Sequence, residues 1–202
     1  YDRTPVTNGE VLRLAEATVA LGMRDHALQF LMDQIGTFSV GGAEPCVRLW
    51  QSCTDLLVEA RHWEVLRIMA LKLRLSKAGG DLLTGFSFYM DGRAYLGLQQ
   101  GDQALAAFER AAASPPGDPL TALQMSRNLT RMQYAELAGK ILVCQEDRLA
   151  SDPQYWQARS EVCYARRDPV GFLSTAARAH ELSPEDQRFA NDYAVALIAD
   201  RQ

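Results

Sequence analysis

The side chains of this 202-residue sequence best suited to chemistry are three histidines, four cysteines and a large set of arginines. His26, His62 and His180 stand far apart, and none has a second His or a paired Cys at a zinc-ligand spacing. Cys46 and Cys53 are seven residues apart on one predicted helix, roughly 10 Å along its axis and too far to bridge. Cys144 and Cys163 fall in helices that could be neighbours, where a small buried hydrophobe is the expected role for each. A cysteine nucleophile would need a base brought from elsewhere in the fold. The phosphate-cradle, nucleophile-elbow and paired-His metalloprotease motifs are all absent, and Gly36, Gly41 and Gly42 make a loop with no following Lys. No catalytic residue, metal ligand or cofactor site is therefore expected. Asn128-Leu129-Thr130 matches a glycosylation sequon but lies inside a predicted helix.

Composition narrows the class. The chain is 48% apolar with a net charge of −4, which excludes disorder as the main state. Its 14 Gly and 4 Cys fit neither a collagen-like chain nor a disulfide scaffold. A pI near 5.4 with dispersed charge gives no basic face for nucleic acid. No apolar run approaches the roughly 20 residues of a membrane span. The 28 Ala and 26 Leu are a helix-former's composition, and 18 Arg against 3 Lys is the preference of a GC-rich bacterial genome. Because the sequence opens at Tyr1 without Met, location is left open between the cytoplasm and a compartment reached by a signal or anchor ahead of it.

Any polar site must then be positioned by helices. Asp118-Pro119, Asp152-Pro153, Asp168-Pro169 and Ser183-Pro184 each place a capping oxygen before a proline suited to the first helical position. Glu44-Pro45 offers the same proline with a poorer cap, and Thr7 to Glu10 reads as a capping box. Amphipathic stretches of roughly 12 to 18 residues run between these starts, without sustained period-two alternation. About eleven helices are expected, with no strands.

Self-comparison gives the organisation. The stretch Phe88-x3-Gly92-x2-Tyr95, Ala104-x3-Phe108-x2-Ala111, Pro116 resembles the tetratricopeptide repeat (TPR), a 34-residue helix-turn-helix. Two departures stand out: the turn near Gly101 is about two residues short, and Asp91 takes a position where the family usually has Leu. Small residues that let helix A of a pair meet helix B recur at Ala15, Thr54, Gly92, Ser126, Ser160 and Ala194, at intervals of 39, 38, 34, 34 and 34. Matching helix-B positions hold Ala27, Leu66, Ala104, Ala138 and Phe172, and Trp50, Phe88 and Trp156 fall four residues before their markers, placed to fill gaps between repeats. Longer connections at residues 36–43 and 78–81 absorb the wide first intervals and are expected to be the most mobile.

The resemblance implies an all-α, right-handed α-solenoid of five helix pairs plus a final unpaired helix. As one domain over residues 1–202 it divides at 8–43, 44–83, 84–117, 118–151, 152–185 and a partial 186–202. It also implies a scaffold that binds a protein or peptide in a concave groove. A regulatory or sensor module of a larger protein is the alternative. The last helix, expected from Pro184 to Ala199, would continue into further chain, pack on another copy, or serve as the cap. The residue after each marker should face the groove: Glu16, Asp55, Arg93, Arg127, Glu161 and Val195. With Tyr89 one turn before Arg93, Arg131 one turn after Arg127, and Gln124 and Gln157 nearby, this predicts a basic, aromatic-walled centre for an acidic or extended peptide. The competing reading pairs Arg93 with Asp55 and Arg127 with Glu161 as a solvated ladder.

Overall fold

The computed structural model describes residues 8–35, 47–75 and 80–200, and its regular elements are all α-helices. They are α1 (Asn8–Ala20), α2 (Arg24–Ile35), α3 (Val47–Glu59), α4 (Trp63–Leu75), α5 (Gly80–Gly97), α6 (Gly101–Ala113), α7 (Pro119–Arg131), α8 (Ala135–Val143), α9 (Glu146–Leu149), α10 (Pro153–Ala165), α11 (Pro169–Leu182) and α12 (Gln187–Asp200). The capping residues Thr7 and Glu44, Cys46, and the connections at 36–43 and 78–79 lie outside the described residues; Gly80 and Asp81 begin α5.

Aspartate caps fix three helix starts. Asp118 accepts from the Thr121 amide at 2.8 Å, Asp152 from Gln154 at 2.8 Å and Asp168 from Gly171 at 2.9 Å, each with Pro at the next position. The fourth expected start differs. α12 begins at Gln187 rather than Pro184, because Asp186 takes the capping role and accepts from the Arg188 amide at 2.9 Å.

The helices form two compact units, Tyr1–Gly117 and Asp118–Gln202. In the first, α1–α2, α3–α4 and α5–α6 are hairpins, each packed on the next. In the second, the α7–α8 hairpin packs on α10, α10 pairs with α11, and α11 carries α12. Five small markers are buried: Ala15, Thr54, Gly92, Ser126 and Ser160. Their partners Ala27, Leu66, Ala104, Ala138 and Phe172 are buried as well, each 12 residues further on. Ala194, the sixth, is exposed. On α12 it is Phe189 and Ala196 that face inward, while Val195, Leu197 and Ile198 are exposed.

Every hairpin turns the same way. Gly22, Arg61, Gln99, Gln133 and Arg167 have positive φ, and each lies seven residues after its marker. Around each, two backbone amides reach back to helix A, as in Gln99 to Leu96 (3.1 Å) and Gln100 to Tyr95 (2.9 Å), or Gln133 to Thr130 (3.0 Å) and Tyr134 to Leu129 (2.8 Å). This is a left-handed helix cap, which glycine normally occupies. Four of the five use an ordinary side chain, so the sequence carries no glycine signal there. The turn near Gly101 is accordingly no local defect, since all five share one length and one hydrogen-bond pattern.

The gap-filling aromatics divide. Trp50 is buried, but Phe88 and Trp156 are half-buried and lie under guanidinium groups. Arg74 and Arg110 sit 5.0 and 5.8 Å from the Phe88 ring centre, and Arg159 sits 5.5 Å from that of Trp156. Phe86, Tyr89 and Met90 fill the core of α5 instead. Asp91, at the position where the family usually has Leu, is buried in an ion pair with Arg74 at 2.5 Å.

Candidate functional site

In the first unit the row position on α5 is Arg93. It follows Gly92, whose missing side chain admits the Phe108 ring of α6; a Cβ there would overlap that ring. Arg93 Nη1 donates to the Tyr89 hydroxyl at 2.6 Å and lies 3.4 Å from Asp55 Oδ1 on α3. The Tyr89 ring is 2% exposed, packed against Phe86 and Phe108 at 5.8 and 6.1 Å between ring centres. It is core and not the aromatic groove wall expected from its spacing, because residue 89 lies on the buried stripe of α5 that also carries Phe86 and Met90. The Arg93 side chain is only 14% exposed. Burial pushes the Asp55 carboxyl up, with Arg93 opposing that shift. This arginine is occupied by structure, and the Arg93–Asp55 pair of the ladder reading is present.

In the second unit the row position on α7 is Arg127, which follows the buried Ser126. Ser126 donates to the Ala138 carbonyl at 2.9 Å and so joins α7 to α8. Arg127 does not pair with Glu161. Its Nη2 donates to the Gln154 carbonyl at 3.2 Å and to Gln157 Oε1 at 3.1 Å on α10, and its Nε is buried with no hydrogen-bond partner. Gln157 in turn donates from Nε2 to Asp192 Oδ2 on α12 at 3.0 Å. A polar relay thus runs across α7, α10 and α12, from a cation through an amide to a carboxylate. Gln124, half-buried, and Arg131, exposed, lie one turn either side of Arg127 on the same face of α7. Glu161 is half-buried; burial and, less strongly, Asp192 push its carboxyl up, against the pull of Arg127 and Arg131. The structure brings Arg127, Gln157 and Glu161 together, with Asp192 as the member that spacing did not reveal. Arg93 and Tyr89 belong to the other unit.

Burial pushes the Cys53 thiol up to about 12, which keeps it protonated at neutral pH. Cys163 is half-buried, but Cys144 is exposed, unlike the buried role expected for it, because α8 ends one residue earlier. His180 stacks on Tyr193 with ring centres 5.7 Å apart. Among the described residues no group of three His, Cys, Asp or Glu could hold a metal, and no helix is long and apolar enough to cross a membrane.

Five hairpins with one turn geometry, two of their four intervals at 34 residues, decide the architecture. Each unit is built of TPR-like helical hairpins. No protein-family model matches the sequence, and none of the curated proteins does. Among solved structures, one that is similar is the crystal structure of YrrB, described as a TPR protein with an unusual peptide-binding site. It is 18% identical over 96% of this chain and 91% of that one, with a TM-score of 0.48. The hairpin assignment stands on this chain's own turns and burial.

Proposed function

We propose that this chain is a binding scaffold and that its second unit receives an extended peptide segment along α7, α10 and α12. The observation that carries the proposal is the Arg127–Gln157–Asp192 relay, which holds donors and acceptors in fixed positions on α7, α10 and α12. Pre-ordered polar side chains lose little freedom when a ligand docks. Gln124 and Gln157 suit the alternating donors and acceptors of a peptide backbone. Arg127 and Arg131 are balanced by Glu161 and Asp192, so net charge does not drive binding; the exposed Arg131 instead reads a single acidic side chain of the segment. The Arg93 and Arg127 centre expected to hold an acidic peptide is reduced to that one contact, since Arg93 is committed to Tyr89 and Asp55.

The test selects a displayed random-peptide library on the intact chain, then rescreens the enriched peptides on Arg131→Glu combined with Gln157→Ala. Enriched peptides should carry an acidic residue and lose binding to the double variant, while its melting temperature stays close to that of the parent. Peptides that bind parent and variant equally, or the absence of any enrichment, would refute the scaffold role of this row.

A further inference from the structure

The second unit also contains a cleft of about 410 Å³ that shares no residue with the α7–α10–α12 relay. Its origin is a short helix. α8 has 9 residues where α4 and α6 have 13, because the chain leaves the helical path at Cys144 and resumes as α9. The Tyr155 hydroxyl donates to the Leu142 carbonyl at 3.3 Å near the point where the helix stops. Gly139 thins the α8 wall further, since even an added Cβ would stand 3.4 Å from Val162, an ordinary contact.

The cleft that results has an apolar wall and a cationic rim. Leu142, Val143 and Val162 line it; Leu142 and Val162 are buried, and Val143, 59% exposed, is the aliphatic side chain left uncovered. Two of its three cations are neutralised locally: Arg166 pairs with Glu136 at 2.8 Å and Arg159 with Glu146 at 2.7 Å. The third, Lys140, is exposed, and among the described residues no carboxylate lies within 4 Å of it. An uncovered valine beside one unneutralised ammonium complements a ligand that carries an apolar group and a negative charge a few ångströms apart. The volume falls within the range of small-ligand pockets and suits one aliphatic side chain with its neighbouring backbone.

We propose that this cleft docks a linear peptide segment in which an aliphatic side chain is followed by a carboxylate, the side chain resting on the exposed Val143 and the carboxylate on Lys140. No covalent step is involved. Cys144, exposed at the edge of the cleft, serves only as a reporter of occupancy. The site is independent of the relay proposed above.

The test titrates the whole chain, labelled with nitrogen-15, with three blocked tetrapeptides of the form glycine–X–Y–glycine, in which X–Y is leucine–aspartate, leucine–lysine or alanine–aspartate. The leucine–aspartate peptide should shift the amide resonances of Gly139, Val143 and Val162 and slow alkylation of Cys144 by N-ethylmaleimide. The other two should bind about tenfold more weakly, the loss of one charge or apolar contact. Lys140→Glu should transfer the preference to the leucine–lysine peptide, and Val143→Glu should remove the preference for leucine. Both positions are exposed, and an unchanged melting curve confirms that each variant folds. Arg131→Glu should leave the titration unchanged, which separates a failure here from a failure of the relay. Equal shifts with all three peptides, no shift at millimolar peptide, or leucine–aspartate binding that survives Lys140→Glu would overturn the proposal.

Discussion

Arg93 and Arg127 occupy the same place in two hairpins, one residue past a small, buried marker, yet the two units use them differently. In the first unit, Gly92 lets Phe108 close onto α5, the neighbouring Tyr89 ring is drawn into the core, and its hydroxyl takes Arg93. In the second unit, Ser126 bonds to the Ala138 carbonyl, and Arg127 spans to neutral amides on α10. Repeat position alone does not make a binding residue. What the marker admits behind it decides whether the next side chain is tied to the core or held at the surface.

The largest expected effect tests the close approach itself. Gly85→Ala places a Cβ against the Ser114 backbone carbonyl, which cannot swing aside, and Gly92→Ala places one against the Phe108 ring. Each should cost about 3 kcal/mol, the upper range for overpacking, whereas Ser126→Ala in the second unit loses one buried hydrogen bond and should cost about 1 kcal/mol. Chemical denaturation of the three variants checks this, and equal losses would erase the contrast between the units.

A smaller effect separates the arginines directly. Arg93→Ala strips a charged donor from the Tyr89 hydroxyl and should cost about 2 kcal/mol, while Arg127→Ala, whose acceptors reach water more easily, should cost about 0.5–1 kcal/mol. Thermal melts of the two variants under one set of conditions give the comparison.

The turns should respond in the opposite direction. Replacing Gln99 or Gln133 by Gly relieves a left-handed residue and should stabilise by about 1 kcal/mol in either unit. A gain at Gln99 matched by a loss at Gln133 would show that the two turns are not equivalent.

The smallest effect is in pH dependence. The Glu161 carboxyl is raised in the folded chain, chiefly by burial, so its proton is held more tightly than in the unfolded chain. Its ionisation therefore lowers stability as pH rises from the ordinary glutamate value through the raised one. Glu161→Gln should remove that decline and be the more stable protein at neutral pH. Urea titrations of parent and variant at pH 4 and pH 7 read this out.

Much of this fold is legible from residue types because a helical hairpin is a local object. Asp-Pro pairs announce starts at Asp118, Asp152 and Asp168, and small residues 12 positions from their partners set each crossing. The readable signal weakens where two elements compete for one role. Ser183-Pro184 looks like its three fellows, but Asp186 captures the cap, and α12 begins at Gln187. The turns were hidden for another reason: a left-handed residue held by two backbone hydrogen bonds need not be glycine, and Arg61, Gln99, Gln133 and Arg167 look like ordinary polar residues. Asp192 could not be found by spacing, since its link to Gln157 crosses from one helix pair to the next.

The sequence by itself determined that this protein is all-helical, where most of its hairpins begin, and which small residues let paired helices meet, because capping, periodicity and residue size act within tens of residues. Only the tertiary structure decided what each polar side chain is for. Whether Tyr89 forms a wall or fills a core, whether Arg127 meets Glu161 or Gln157, and whether Val143 and Lys140 border an open cleft all depend on side chains from other helices. Those contacts follow from how far each helix runs and how it is rotated in the packed unit, which no single segment specifies.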